Sequence, residues 1–321
     1  MLRRWILAAL CLLWAEHAMA EDKASFRLNW LIYGFHTPFY LGVEKGFYHA
    51  QGIDLTIGEG QGSGRAVQIV AAGSDTFGLA DGASIINGAT KGAPVVAVMG
   101  IMDSSPYAIV VRADAGISDL KGLVGKTIAA TTGEAGLVMF PAILKHNNLP
   151  DDAISFVRVD AEAKMVAVLQ NRAVALLGGV ENQALILPRK GVPVVTLPYP
   201  SLGVNTMGLA IVASRDTVAK SPDLVRRFVA ATRMAFEAAE QDQEAANAAG
   251  MKIKPDLDHD LALAQLKAGL TLVRSPLGQD KAPGWMAAAD WAETLQLMKA
   301  YQDLKTDMTP DAFWTDTFLP K

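Results

Sequence analysis

The side chains best suited to hold a flat ligand lie near the start of the chain, at the end of a predicted strand. Residues 26–30 alternate apolar and polar side chains, and this period of two is typical of a half-buried strand. Four planar side chains end or follow the segment: Trp30, Tyr33, Phe35 and His36. Because such rings can stack on an aromatic or heterocyclic ring, the cluster predicts a site for such a solute. The amide of Asn29 would add a hydrogen bond.

Two glycine-rich turns could supply backbone N–H groups to a polar ligand. Residues 60–64 (Gly-Gln-Gly-Ser-Gly) precede an apolar-periodic helix, and residues 131–136 follow a strand farther along the chain. The start of a helix carries free N–H groups and the positive end of the helix dipole. A helix cap at Ser63, without any ligand, is the alternative. The candidate ligand contacts in the two turns are Ser63, Gly64, Arg65, Thr131, Thr132 and Glu134.

Acidic side chains dominate the ends of the predicted strands. Asp81, Glu134 and Glu181 each follow a strand, whereas Arg65 is the one cation next to a candidate turn. Acidic and amide groups favour a neutral or amino-bearing heterocycle. An anionic solute stays open, since backbone N–H groups at helix starts also bind anions. Glu181 and Asn182 are equally compatible with ligand binding and with capping of the next helix.

Several motifs for cofactors and catalysis are missing. The 60–64 turn has neither the G-x-G-x-x-G spacing of a dinucleotide site nor the G-x-S-x-G spacing of a hydrolase. No second histidine lies at metal-ligand spacing from His36. The single cysteine, Cys11, lies in the N-terminal apolar run, so the rest of the chain has no thiol chemistry. A net charge of −4 argues against nucleic acid. We expect no metal and no cofactor.

The first 20 residues have the features of a secretory signal peptide. Two arginines precede an apolar run, and Ala18-Met19-Ala20 is a small-residue cleavage site. The run is too short to span a bilayer. We expect cleavage after Ala20 and a periplasmic mature protein.

The remaining elements predict an α/β fold of two lobes. A polar turn at residues 103–106 would carry the chain into a second α/β set, and residues 207–213 would return it. The predicted limits are 21–104 and 205–321 for lobe 1, and 105–204 for lobe 2. This chain order is typical of a two-strand hinge that closes on a ligand. Pro141 predicts that one helix of lobe 2 begins only near Phe140.

Several motifs of the chain resemble the solute-binding proteins that capture thiamine pyrimidine precursors for ABC importers. The motifs are Leu28-Asn29-Trp30, His36-Thr37-Pro38-Phe39-Tyr40, Glu44-Lys45-Gly46-Phe47-Tyr48, Gly52-Ile53-Asp54-Leu55 and the segments 117–122 and 125–128. The wider superfamily also holds binders of nitrate, taurine and alkanesulfonates. The resemblance implies the periplasmic-binding-protein type II fold, a ligand cleft between the lobes, a permease partner in the inner membrane and a monomer.

The resemblance also reaches an enzyme class, the yeast-type thiamine pyrimidine synthases, which use pyridoxal phosphate, iron and a cysteine-rich motif. Because no cysteine follows Cys11, we predict a binding protein and not an enzyme. The first-choice ligand is a thiamine pyrimidine precursor. A sulfonate, taurine, nitrate or aromatic carboxylate is the alternative on the same scaffold, and a synthase-like enzyme is the alternative of a different class.

Overall fold

The computed structural model describes residues 21–320, so the predicted signal peptide at 1–20 lies outside the described residues. The strands, in chain order, are β1 (Asp22–Arg27), β2 (Ile53–Gly58), β3 (Phe77–Asp81), β4 (Val95–Gly100), β5 (Tyr107–Arg112), β6 (Thr127–Ala130), β7 (Ser155–Arg158), β8 (Ala175–Gly179), β9 (Val194–Pro198) and β10 (Leu209–Ser214). The α-helices are α1 (Thr37–Glu44), α2 (Phe47–Ala50), α3 (Ser63–Ala71), α4 (Gly82–Thr90), α5 (Ala135–His146), α6 (Ala161–Leu169), α7 (Gln183–Arg189), α8 (Arg215–Lys220), α9 (Pro222–Gln241), α10 (Gln243–Ile253), α11 (His259–Leu270) and α12 (Ala288–Tyr301). None of these helices combines the length and the apolar character that crossing a membrane requires.

Two five-stranded sheets with the same plan form the framework. The first has the order β2-β1-β3-β10-β4 and the second β7-β6-β8-β5-β9. In the first sheet β1 is parallel to β2 and β3, and β10 is antiparallel to β3 and β4. In the second, β6 is parallel to β7 and β8, and β5 is antiparallel to β8 and β9. The antiparallel strand of each sheet is therefore the one that arrives from the other lobe.

The chain passes between the sheets twice, at residues 101–106 and 199–208. The α/β class and the two lobes predicted from the sequence are confirmed. The limits at 104/105 and 204/205 stay a prediction, because one C-terminal element belongs to both lobes. Helix α12 packs against α4 beside the first sheet and against α5 beside the second. A hydrogen bond also ties this helix to the second crossing segment, because Met207 N donates to Thr294 Oγ1 at 2.7 Å.

Buried aromatic rings fix β1 and the loop that follows it. Phe26 is 1% exposed, and its ring centroid lies 4.8 Å from that of Phe39 in α1 and 5.7 Å from that of Phe228 in α9. Phe77 of β3 stacks on Phe228 with centroids 4.0 Å apart. Phe35, predicted to join the ligand cluster, is fully buried against Phe236 and belongs to this core. The core thus holds the backbone from which Asn29 and Trp30 project.

Two element limits differ from the sequence prediction. Strand β1 ends at Arg27, three residues before the alternation ends, because the backbone of Asn29 and Trp30 instead accepts hydrogen bonds from Gly62 and Gly60. The helix predicted to begin near Phe140 begins at Ala135 and contains Pro141. A proline removes one backbone hydrogen bond, and the buried apolar face of α5 outweighs that loss.

Candidate ligand-binding site

A cavity between the two lobes collects residues from the carboxyl ends of strands in both sheets, where open α/β sheets bind ligands. The volume of the cavity is about 40 Å³, so its walls lie close together in this conformation. The predicted site residues that line it are Asn29, Trp30, Tyr33, Ser63, Glu134, Glu181 and Asn182. Tyr107, Lys164 and Gln183 also line it and were not predicted. Both lobes therefore contribute polar and aromatic groups to one candidate site.

The two glycine-rich turns meet and close one side of this cavity. Gly64 N donates to Gly133 O at 3.0 Å, so a hydrogen bond joins the lobes there. A Cβ atom at Gly62 would lie 2.8 Å from Gly133 O, and Gly62 has φ of +113°. Only glycine combines that backbone angle with so close an approach. We call this contact of residues 62–64 with 133 the glycine seam.

A buried ion pair lies against the Trp30 ring. Lys164 is 1% exposed, and its Nζ donates to Glu134 Oε2 while lying 4.3 Å from the centroid of the Trp30 ring. Glu134 Oε1 accepts a hydrogen bond from Thr131 N at 2.8 Å. Burial raises the pKa of Glu134, and Lys164 acts in the opposite direction. The ammonium group thus lies over one face of the indole, in a cation–π contact.

Glu181 carries a carboxylate oxygen with no partner. The side chain is 3% exposed, and its Oε1 accepts from the Tyr33 hydroxyl of the other lobe at 3.0 Å. Its Oε2 is buried and has no hydrogen-bond partner within residues 21–320. Burial raises the pKa of Glu181 to about 7. Near neutral pH this group can therefore accept a hydrogen bond from an amino group or donate one to a ring nitrogen.

Asn182 joins the lobes beside Glu181. Its Oδ1 accepts from Gln265 Nε2 at 2.9 Å, and Gln265 Oε1 accepts from Gly34 N at 3.0 Å. The Asn182 Nδ2 group makes no hydrogen bond within residues 21–320 and remains available as a donor. Asn182 occupies the N-cap position of α7, but no side-chain hydrogen bond caps this helix. The capping alternative is therefore not realised.

Tyr107, the first residue of β5, contributes a buried hydroxyl to the cavity. That hydroxyl has no hydrogen-bond partner among the described residues. Asp81 lies behind the wall: its N–H donates to Ser63 Oγ at 3.2 Å, and its Oδ1 caps α4 by accepting from Ser84 N at 3.0 Å. Burial raises the pKa of Asp81. The predicted contact at Asp81 is thus a support for Ser63 and not part of the cavity wall.

His36 also lies behind the wall. It is fully buried, and its Nε2 is 3.0 Å from Asn29 Oδ1. Burial lowers the pKa of His36 to about 3, so the ring is neutral and can donate to the Asn29 amide oxygen. In this conformation His36 holds Asn29, and Asn29 faces the cavity. Within residues 21–320, no three His, Cys, Asp or Glu side chains are grouped to hold a metal ion.

Arg65, Thr131 and Thr132 line a different space, on the outer side of the glycine seam. We call it the outer groove, and its polar wall consists of Gln61, Arg65, Thr131, Thr132, Arg158 and Asp160. Gly64 lies in the seam itself. Of the predicted site residues, the structure thus brings seven into the cavity. The other seven lie behind its wall, in the core, in the glycine seam or in the outer groove.

Lys164 is the site residue that sequence reasoning missed most clearly. It lies in the first turn of α6, directly after β7, where the positive end of the helix dipole disfavours a cation. A lysine at such a position, in a helix whose other residues except Glu162 are apolar, signals a buried acidic partner. That signal was present in the sequence, but the partner, Glu134, lies 30 residues away and only the fold brings it close.

Proteins named as enzymes and proteins named as binding proteins are both similar to this chain. The 4-amino-5-hydroxymethyl-2-methylpyrimidine phosphate synthase THI11 of Saccharomyces cerevisiae is 24% identical over 260 residues, which cover 77% of this chain and 76% of the relative. The riboflavin-binding protein RibY of Chloroflexus aurantiacus is 24% identical over 292 residues, covering 88% and 82%. The alkanesulfonate-binding protein SsuA from Xanthomonas axonopodis pv. citri, solved bound to MOPS, superposes with a TM-score of 0.72 at 16% identity, covering 92% and 99%.

One sequence-based prediction is corrected by these relatives. We predicted that the chain is not an enzyme, but several relatives, from yeast and other fungi, are named as a synthase. The prediction is therefore wrong as it stood. Its physical basis was too narrow, because the missing cysteines exclude thiol chemistry alone and say nothing about buried groups such as Lys164 and Glu134.

A family match covers more than half of the chain. The family model described as NMT1/THI5 like matches residues 34–246. This segment contains Lys164, Glu181 and both glycine-rich turns, and it confirms the resemblance to the thiamine pyrimidine superfamily. The chain belongs to the NMT1/THI5-like family.

Proposed function

We propose that this protein is the substrate-binding component of an ABC importer and captures a small aromatic or heterocyclic solute, with a thiamine pyrimidine precursor as first choice. One observation carries the proposal: the cavity between the lobes is lined both by the indole of Trp30 and by Glu181, whose second carboxylate oxygen has no partner within residues 21–320. With the lobes farther apart than in this conformation, a flat ring with an amino group would contact both. The yeast synthase is named after a pyrimidine and RibY after riboflavin, and both compounds are nitrogen heterocycles.

The hydrogen-bonding groups of the cavity match the edge of an aminopyrimidine. Glu181 Oε2 lacks a donor, and the Tyr107 hydroxyl lacks a partner. An exocyclic amino group donates, whereas the adjacent ring nitrogen accepts. Such a ring can therefore satisfy Glu181 with its amino group and Tyr107 or Asn182 with its nitrogen, while the indole of Trp30 covers its face.

A transport role accounts for the arrangement of the lobes. Two crossings between the sheets permit a hinge motion, and ligand contacts from both lobes would favour the closed form. The permease would then recognise the closed form. In this proposal the signal peptide is cleaved after Ala20, and the mature protein is a periplasmic monomer.

A sulfonate, taurine, nitrate or aromatic carboxylate is the second candidate, and the fold shared with SsuA favours it. Lys164 is a buried cation that could attract an anion. However, Glu134 already neutralises Lys164, and the free oxygen of Glu181 would repel an anion. The cavity therefore favours an amino-bearing heterocycle over an anion.

The test is a thermal-shift panel on mature protein that has been unfolded and refolded to remove bound ligand. The panel contains thiamine pyrimidines, thiamine, nucleobases, flavins, sulfonates, nitrate and aromatic acids. A ligand at about 100 times its Kd should stabilise the native state by roughly 2.7 kcal/mol. A response to pyrimidines supports the proposal, and a response to sulfonates or carboxylates alone contradicts the first-choice ligand. Chemical conversion of the hit, followed by mass spectrometry, would contradict simple capture.

A further inference from the structure

The outer groove contains an arginine from each lobe. Arg65 lies in α3, beside the first sheet, and Arg158 is the last residue of β7 in the second sheet. Neither guanidinium group makes an ion pair or a side-chain hydrogen bond within residues 21–320, unlike Arg27, Arg112 and Arg227, which all pair with aspartates. Two unpaired cations therefore line one groove across the cleft.

A buried hydroxyl in the same groove also lacks a partner. Thr131 is 4% exposed, and its Oγ1 makes no hydrogen bond within the described part of the chain. A buried polar atom without a partner is unfavourable unless a ligand or water supplies one. The exposed hydroxyl of Thr132 and the amide of Gln61 lie on the same wall. The groove thus offers several donors around one space.

The start of α6 adds to the positive character of the groove. Asp160 is the N-cap residue of this nine-residue helix, and its side chain makes no cap hydrogen bond, so the first N–H groups stay without that acceptor. Asp160 also lines the groove and is its one acidic side chain. Two arginines and a helix start outweigh this single carboxylate, which leaves a positive wall.

We propose that the outer groove binds a small oxyanion, such as phosphate, which bridges Arg65 and Arg158 and so stabilises the closed lobes. Arginine guanidinium groups bind phosphate oxygens through charge-assisted hydrogen bonds, and the Thr131 hydroxyl completes the set. Without the anion, the two cations repel each other across the glycine seam. The effect on closure rests on the proposed function, whereas the anion site itself does not. The oxyanion is either free phosphate or a phosphate group carried by the ligand.

The experiment titrates inorganic phosphate into the ligand-stripped mature protein by calorimetry, with chloride replaced at constant ionic strength. The test variant is Arg65→Gln with Arg158→Gln. The control is Arg172→Gln with Arg189→Gln, which removes two exposed arginines outside the groove and so matches the charge change. We expect the test variant to bind phosphate at least about tenfold more weakly, and the control to match the wild type.

Equal phosphate affinity in all three proteins would overturn the site. Phosphate also stabilises proteins nonspecifically by exclusion from their surface, and that effect would not differ between the variants. A melting-temperature scan in chloride checks that the test variant is folded. Thr131→Val is a second variant that keeps the charge, and it should weaken phosphate binding without changing net charge. No effect of Thr131→Val together with no effect of the double variant would contradict the proposal.

The source of the oxyanion is decided with a pyrimidine that binds in the ligand panel and with its phosphate ester. If the anion is free, inorganic phosphate tightens binding of the unphosphorylated pyrimidine. If the ligand carries it, the ester binds more tightly and inorganic phosphate competes with it. Both results need Arg65 and Arg158. If no heterocycle binds but phosphate binding depends on the two arginines, the site stands and the proposed function fails.

Discussion

Single residues of the cavity are held in unusual electrostatic states. Glu181 is buried with a pKa raised to about 7, and its carboxylate has only the Tyr33 hydroxyl as a side-chain partner. Lys164 is almost fully buried, yet it is paired with Glu134 and lies over the ring of Trp30. Buried charges without full compensation destabilise the native state. Buried titratable groups of this kind are typical of functional sites.

The pKa of Glu181 makes stability depend on pH. Because burial raises the folded-state pKa from 4.5 to about 7, the native state retains the proton over this range and the unfolded chain loses it. Stability should therefore fall as pH rises from about 4.5 to 7, by on the order of 3 kcal/mol, and then level off. Urea unfolding of the wild type and of Glu181→Gln across this range should show the difference.

The comparison with Glu181→Gln is needed because Asp103 also has a pKa raised to about 7 by burial. Asp103→Asn serves as the matched control, since it should remove a similar slope at a place outside the cavity. If the slope of the Glu181→Gln variant equals that of the wild type, the assignment to Glu181 is incorrect.

Trp30 is expected to supply most of the stacking surface. Trp30→Ala should weaken binding of the hit from the ligand panel by roughly 10- to 100-fold, because it removes the ring face and the cation–π partner of Lys164. Calorimetric titration measures the loss. Trp285→Ala is the control, since Trp285 is half-buried and lines a different groove. An unchanged affinity in Trp30→Ala would rule out the stacking model.

At the scale of elements, the turns before α3 and α5 position the site. Gly60 and Gly62 donate backbone hydrogen bonds to Trp30 and Asn29, so the first turn is tied to the strand end that carries the aromatic ring. The second turn meets it through the glycine seam. Helix starts and strand ends thus form the wall of the cavity together.

The glycine seam should tolerate no side chain. Gly62→Ala would place a Cβ 2.8 Å from Gly133 O, so the lobes should close less completely and the ligand should dissociate faster, with affinity reduced roughly tenfold or more. Stopped-flow dissociation measures this. Gly73→Ala is the control, because Gly73 also has positive φ, +70°, but no atom lies within 4 Å of a Cβ there. Similar dissociation rates in both variants would argue against the seam as a closure contact.

At the scale of the molecule, cross-lobe hydrogen bonds define a closed form. Tyr33 donates to Glu181, Gln265 donates to Asn182, and Gly64 donates to Gly133. Two of these three contacts involve residues that also line the cavity. A ligand in the cavity would therefore contact the same side chains that join the lobes, and the proposed function couples binding to closure in this way. Helix α12 also packs on both lobes.

Closure should be visible in solution. Ligand-stripped protein, without the contacts that a bound ring adds, should have a larger radius of gyration than the ligand-bound form in small-angle X-ray scattering. Tyr33→Phe should shift the equilibrium toward the open form, since it removes the hydroxyl that reaches Glu181. Tyr48→Phe, which loses a buried hydroxyl bond to Thr232 within one lobe, is the control. Identical scattering with and without ligand would contradict the hinge model.

The sequence by itself determined the α/β class, the two lobes and the aromatic and glycine segments of the site. These features follow from local periodicity and turn chemistry, which depend on neighbouring residues. Tertiary structure alone decided which residues meet. It paired Lys164 with Glu134, placed Tyr107 in the cavity and moved His36 and Asp81 behind it. It also divided the candidates between the cavity and the outer groove, because contacts across the cleft depend on how two lobes pack and leave no local pattern in the chain.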